Sequence, residues 1–222
     1  MSYLSKFKEY PLTYLLIILN ITIFLTPILI PSLENFIYQE GALSGYWVVV
    51  KGEIYRLVSS IFLHSGGTHI VMNMLSLYMV GRVVERLFSK FAYLSIYFIS
   101  AFFGAFTSIY MHPDGWAVGA SGAIFGVFGA LAGFAFVHRN RMREQFMAFM
   151  KDFGVILLIN LVIGFLFPSI DVSAHVGGLV AGVIGGLVVA KQPRFVWVYL
   201  AISVSLLVAI YNYLALLYVS IV

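Results

Sequence analysis

At 222 residues, 62% hydrophobic and only 10% charged, with a mean hydropathy of +1.00, the chain is far from the balance of a water-soluble domain and reads as an integral membrane protein. Its formal charge of +4 does not point to nucleic acid, because the basic residues flank apolar runs. The absence of cysteine excludes disulfides and thiolate metal sites.

In chain order, seven apolar runs come near the roughly 20 residues that a helix needs to cross a bilayer. They are 11–30, 69–88, 91–111, 121–137, 153–167, 172–190 and 195–218. The first is long enough to span and no small-residue cleavage site closes it, so it reads as a retained helix rather than a signal peptide. The expected fold class is an all-α membrane protein of seven spans. It forms one domain over 1–222, with a core at about 11–190 and an extra C-terminal span at about 195–218. The long connection, 31–68, carries the apolar patch Tyr46-Trp47-Val48-Val49-Val50, interrupted by Lys51, Glu53 and Arg56 and too short to span. It reads as a loop partly embedded in the interface.

Lys and Arg favour cytoplasmic loops. With the N-terminus inside, Lys6, Lys8, Arg82, Arg86, Lys90, Arg139, Arg141, Arg143, Lys151, Lys191 and Arg194 fall on the cytoplasmic side, and only Lys51 and Arg56 fall outside. The C-terminus is then external. With no organellar targeting segment ahead of the first span, the expected home is a bacterial plasma membrane.

In that arrangement the second, fourth and sixth spans all enter from the outer face. At a rise of about 1.5 Å per residue, His69, Asn73, Ser121 and His175 sit within roughly the outer 10 Å. Polar residues in membrane helices turn toward the protein interior or a water-filled cavity, so the four are expected to converge. Gly122 and Gly126 on one helix, and Gly178, Gly182 and Gly186 on another, form small-residue stripes of the kind that let backbones approach in lipid. Close approach there would bring Ser121 within hydrogen-bond reach of His175.

A serine hydroxyl becomes a nucleophile when a neighbouring base takes its proton, and neutral histidine is the usual base. Gly119-Ala120-Ser121-Gly122 opens a helix with Ser121, and the chemistry expected is a dyad of Ser121 and His175. No carboxylate is an obvious third member; Asp171, four residues before His175, is the nearest candidate or simply a helix cap. Acyl transfer also needs donors for the oxyanion. The Ser121 backbone N–H at a helix start, the Asn73 amide and a His69 ring N–H can supply them. His64 reads as a tie between the outer loop and the second helix. A zinc site of His64, His69 and His175 fits poorly: the first two are five residues apart rather than four, with no Glu between them. Each polar residue also has a structural reading, such as Asn73 as a helix-to-helix hydrogen bond. His112 and His138 fall in loops and receive no role.

Together these residues resemble the rhomboid intramembrane serine proteases. The motifs are His64-Ser65-Gly66-Gly67-Thr68-His69-Ile70-Val71-Met72-Asn73, Gly119-Ala120-Ser121-Gly122, and Ala174-His175-Val176-Gly177-Gly178 followed by Gly182. They occur in the family's order, and the resemblance covers about 55–190, the seventh helix looking like the extra span some members carry. It implies Ser121 as nucleophile, His175 as general base, and His69 and Asn73 in the oxyanion hole. It also implies no cofactor, and partners that are the lipid bilayer and single-span membrane-protein substrates; that no metal is expected rests on the histidine spacing instead. Three departures stand out: Tyr55-Arg56 where Trp-Arg is frequent, Gly67 where an aromatic is frequent, and Phe125 where some members stack a Tyr on the histidine.

A peptide bond in a regular helix is shielded, so substrates are expected to carry helix-breaking residues near the cut and a small residue before it. The bulky fifth run, 153–167 with Phe165 and Phe167, is the expected lateral gate. Two other classes share parts of the pattern. An inactive relative that binds membrane segments would typically lack the serine or histidine, and a transporter would spread its polar residues through the bilayer.

Overall fold

The computed structural model describes residues 9–140 and 170–221, with positions 143, 144, 147, 148, 151, 154 and 155 between them. Helix α1 is Pro11–Leu29, started by a proline at its first turn, where a missing N–H costs nothing. Its free N-terminal donors are met from another helix. The buried Glu85 carboxylate accepts from the N–H groups of Leu12 (2.9 Å) and Thr13 (2.8 Å) and from the Thr13 hydroxyl (2.7 Å). That arrangement gives a buried carboxylate three donors and places its charge at the positive end of the helix.

Between α1 and the second long helix lie five short elements: a 3-10 turn (Pro31–Leu33), α2 (Glu34–Gly41), β1 (Leu43–Ser44), a π-helical turn (Tyr46–Val50) and α3 (Arg56–Phe62). The sequence reads this stretch as a loop; it is a folded cap. Its centre is Arg56, 1% exposed, which donates to the carbonyls of Gln39 (2.6 Å) and Ala42 (3.0 Å) and to Glu53 (2.7 Å). The guanidinium also lies by the rings of Trp47 and Tyr55, 5.4 and 5.6 Å from their centroids. The loop is therefore anchored with tyrosine at position 55, Arg56 supplying the bonds.

The second long helix runs from α4 (Gly67–Ser76) through a π-helical turn (Leu77–Gly81) into α5 (Arg82–Leu87), two residues earlier at its start than expected. Next come α6 (Lys90–Met111), capped by the Ser89 hydroxyl, and the strand β2 (Trp116–Ala117). Then α7 (Ser121–Val137), α8 (Val172–Lys191) and α9 (Val196–Ile221) complete the described bundle. Strands β1 and β2 pair antiparallel, Leu43 with Ala117 and Ser44 with Trp116, and clasp the cap to the loop before α7.

Among the described residues, four helices are long and apolar enough to cross a membrane: α1, α6, α8 and α9 with the short turn before it. Helix α7 is apolar but has 17 residues. The run expected at 153–167, with its gate residues Phe165 and Phe167, lies outside the described residues.

The core seam is α7 against α8, flanked by α6. A methyl placed on Gly178 would lie 2.0 Å from the Gly122 carbonyl oxygen, one on Gly182 1.9 Å from that of Gly126, and one on Gly186 2.3 Å from that of Ala130. No side chain fits, so the two backbones touch along three turns. In lipid, where burial of apolar surface gives little drive, such contact supplies van der Waals energy that larger residues would prevent.

Candidate functional site

Ser121 is the first residue of α7, and the backbone into it is turned by Gly119 at φ +128°, a conformation side chains other than glycine rarely adopt. The Gly119 N–H donates to the Ser60 carbonyl at the end of the cap (2.9 Å). A methyl on Gly119 would meet the His69 ring, 2.8 Å from Nε2, so this glycine is required twice over. His69 thus presents Nε2 to the backbone two residues before Ser121. On its other side Nδ1 hydrogen-bonds with the Ser65 hydroxyl at 3.1 Å. If that hydroxyl donates, Nε2 carries the ring proton and faces Gly119.

His175 is buried in the second turn of α8, its ring stacked face to face on Phe125, with centroids 4.2 Å apart and planes at 9°. Phe125 stands one turn after Ser121. The seam that abuts Gly178 on Gly122 therefore puts Ser121 and His175 at the same level of adjoining helices. Asn73, buried on α4, donates one amide hydrogen to the His69 carbonyl at 2.9 Å, leaving the second. His64 is fully buried, its ring edge-on to His69 at 5.0 Å, while its carbonyl accepts from the Tyr38 hydroxyl (2.5 Å).

Asp171 caps α8: its carboxylate accepts from the Ala174 N–H at 3.0 Å and from the Ser173 hydroxyl. Burial pushes that carboxyl up, but hydrogen bonds from Ser108, Ser173 and Ala174 outweigh it and hold the group below its usual range. Of the two readings left open by the sequence, the cap is the one the hydrogen bonds support.

A cavity of about 50 Å³ opens behind Ser121, bounded by Ser60, Ser108, Gly119 and Asp171 among others. At about 10–15 Å³ per water, it has space for a few. Among the described residues no three His, Asp or Glu side chains gather around one point as a metal would require.

Sequence reasoning overlooked Ser65, although its spacing of four from His69 on a helix start was a usable signal. It also overlooked Ser60 and Ser108, which reach the cavity only through tertiary contacts.

The Rhomboid domain model matches residues 51–192. Among curated relatives, RHOMBOID-like protein 1 of Arabidopsis thaliana is 36% identical over 169 residues, 76% of this chain and 43% of its own. RHOMBOID-like protein 6, mitochondrial, from the same plant is 35% identical over 77% of this chain and 55% of its own. Rhomboid protease GluP of Bacillus subtilis is 38% identical over 61% of this chain and 26% of its own. The chain thus spans between about a quarter and about half of the length of these relatives.

Proposed function

Because the chain belongs to the rhomboid family, a family of intramembrane serine proteases, we propose that it is itself such an endopeptidase, with Ser121 as nucleophile and His175 as general base. What supports this reading is that the residues flanking Ser121 on either side each meet an imidazole. His175 stacks on Phe125 one turn beyond it, and His69 Nε2 abuts Gly119 two residues before it.

In the proposed reaction His175 takes the Ser121 hydroxyl proton as Oγ bonds to the substrate carbonyl carbon. The carbonyl oxygen becomes an oxyanion, facing the Ser121 N–H, the His69 Nε2–H and the free Asn73 amide hydrogen. The N–H groups of a first helical turn have no partner within the helix, which suits them to that charge. Each such donor contributes about 2.7–4 kcal/mol in sites where it has been removed. His175 then hands its proton to the leaving amine, the peptide bond breaks, and an acyl-Ser121 ester remains. Water repeats the steps against the ester, giving its proton to His175. Gly119 and Gly178 support the site by letting His69 and α7 come close, Phe125 by fixing the His175 ring, and His64 by backing His69.

The protein is a multi-pass membrane protein, of seven spans in this reading, with 67–87 as the second and α7 as the fourth. Its N-terminus is cytoplasmic and its substrates are single-span proteins with a small residue before the cut. A fluorophosphonate probe tests the chemistry. It should label wild type at Ser121 and fail on His175→Ala; equal labelling of both, or none of wild type, contradicts the assignment and favours an inactive binder.

A further inference from the structure

Helix α9 begins beyond residue 192, where the Rhomboid domain match ends, and Gly45 precedes residue 51, where it starts. The two nevertheless meet. The Tyr218 hydroxyl near the end of α9 donates to the Pro113 carbonyl at 2.7 Å, and the ring is 7% exposed. A methyl on Gly45 would lie 1.7 Å from that hydroxyl and 2.9 Å from the same carbonyl, so the phenol fills the notch which the missing side chain leaves.

The position of this three-way contact matters more than its strength. Gly45 directly follows β1, and Pro113 lies three residues before β2, so Tyr218 closes one end of the β1–β2 clasp. Beyond the clasp, Ala117 is two residues from Gly119, whose N–H is held by Ser60 and whose backbone abuts His69. Ser121 follows. A single covalent stretch of nine residues, 113–121, therefore begins at the Tyr218 bond and ends at the serine, pinned on the way by the strand pair and Ser60.

We propose that Tyr218 is a positioning residue: its hydroxyl locks the clasp and so holds the stretch from Gly119 to Ser121 in register with His69. This rests on the reading of Ser121 as a nucleophile. The extra C-terminal helix thereby acts on the site from outside the family's matched region. A bond that only satisfied a buried hydroxyl would affect stability and leave the serine's reactivity alone.

The test compares wild type, Tyr218→Phe and Gly45→Ala in liposomes. It measures the rate of fluorophosphonate labelling at Ser121, kcat and KM on a single-span substrate, and the unfolding temperature. Tyr218→Phe keeps the ring and removes one hydrogen bond, which is expected to slow labelling and lower kcat by about three- to tenfold with KM unchanged. Gly45→Ala, which leaves Tyr218 in place but crowds its hydroxyl, should lower both in the same sense. Labelling of both variants at the wild-type rate overturns the proposal, whatever happens to the unfolding temperature, and so does a rise in KM alone. Wild type that takes no label overturns the protease reading itself, and this proposal with it.

Discussion

The α7–α8 seam and the outer cap meet at Ser121, and they are built on opposite terms. Along the seam, carbonyl oxygens of α7 stand where methyl groups of α8 would be, at Gly178, Gly182 and Gly186. Nothing there can rotate aside. The cap is held by single side chains reaching backbone: Arg56 on Gln39 and Ala42, Ser59 on Gly41 (2.8 Å), Tyr38 on His64. The seam decides where the backbones bearing Ser121 and His175 lie, whereas the cap decides what faces them. The contrast teaches that damage to the seam should be all or none, and damage to the cap graded.

Gly182→Ala sets the upper limit. Overpacking an ordinary core costs about 1–3 kcal/mol. Here the atom met at 1.9 Å is backbone, so a loss above about 3 kcal/mol is expected from unfolding in mixed micelles. Gly66→Ala, with open space around it, is the matched control and should lose little. Equal stability of the two variants would break the comparison at its strongest point.

In the cap the largest effect belongs to Arg56→Met, which strips a donor from two carbonyls and a partner from Glu53. Removing one member of a fully buried pair costs about 3–5 kcal/mol; with Glu53 partly exposed, about 2 kcal/mol is expected. Proteolysis should appear within 31–66 while 121–137 stays protected. Simultaneous loss of both regions would refute a separable cap.

Arg56 also shows which parts of the molecule the sequence made readable. Counted as an external cation, it looks like an exception to the charge bias; its burial makes it a structural fastener that carries no information about sidedness. The seam was legible because glycines four residues apart on a helix have one physical reading in lipid. The starts of α7 and α8 were legible because hydropathy changes sharply there, at Ser121 and Val172. The cap was illegible because its short elements depend on bonds such as Arg56 to Gln39, 17 residues apart, which no local period encodes. The π-helical turn at Leu77–Gly81 leaves the apolar pattern of that helix intact and so gave no sign. Of the proposed site, His69, Asn73, Ser121 and His175 were named from shared depth, Ser65 could have been named from its spacing to His69, and Ser60, Ser108 and the Tyr218 contact required the fold.

Phe125→Leu probes the place where the seam touches the site. Aromatic stacking contributes about 0.5–1.5 kcal/mol beyond burial. The His175 ring should therefore lose orientation more than the helix loses stability, giving a labelling rate at Ser121 lower by about fivefold at an unfolding temperature near that of wild type. A rate equal to wild type would leave the stack a packing contact only.

The smallest expected effect lies in the cap and depends on pH. Protonation of His64 is linked to unfolding because burial, followed by the charge of His69, pushes its imidazole down from 6.5 to about 4. Its neutral form is the one the fold accepts. In the unfolded chain it takes up a proton as pH falls below about 6.5, so the unfolded state binds more protons between that pH and about 4. Stability is thus full above the unfolded value and is lost as pH falls toward the folded one. At pH 5.5 the loss should be about 1 kcal/mol. His64→Phe keeps a ring against His69 and removes the titration, so it should lose less stability than wild type between pH 7 and 5.5. Equal losses would mean that other groups carry the acid response.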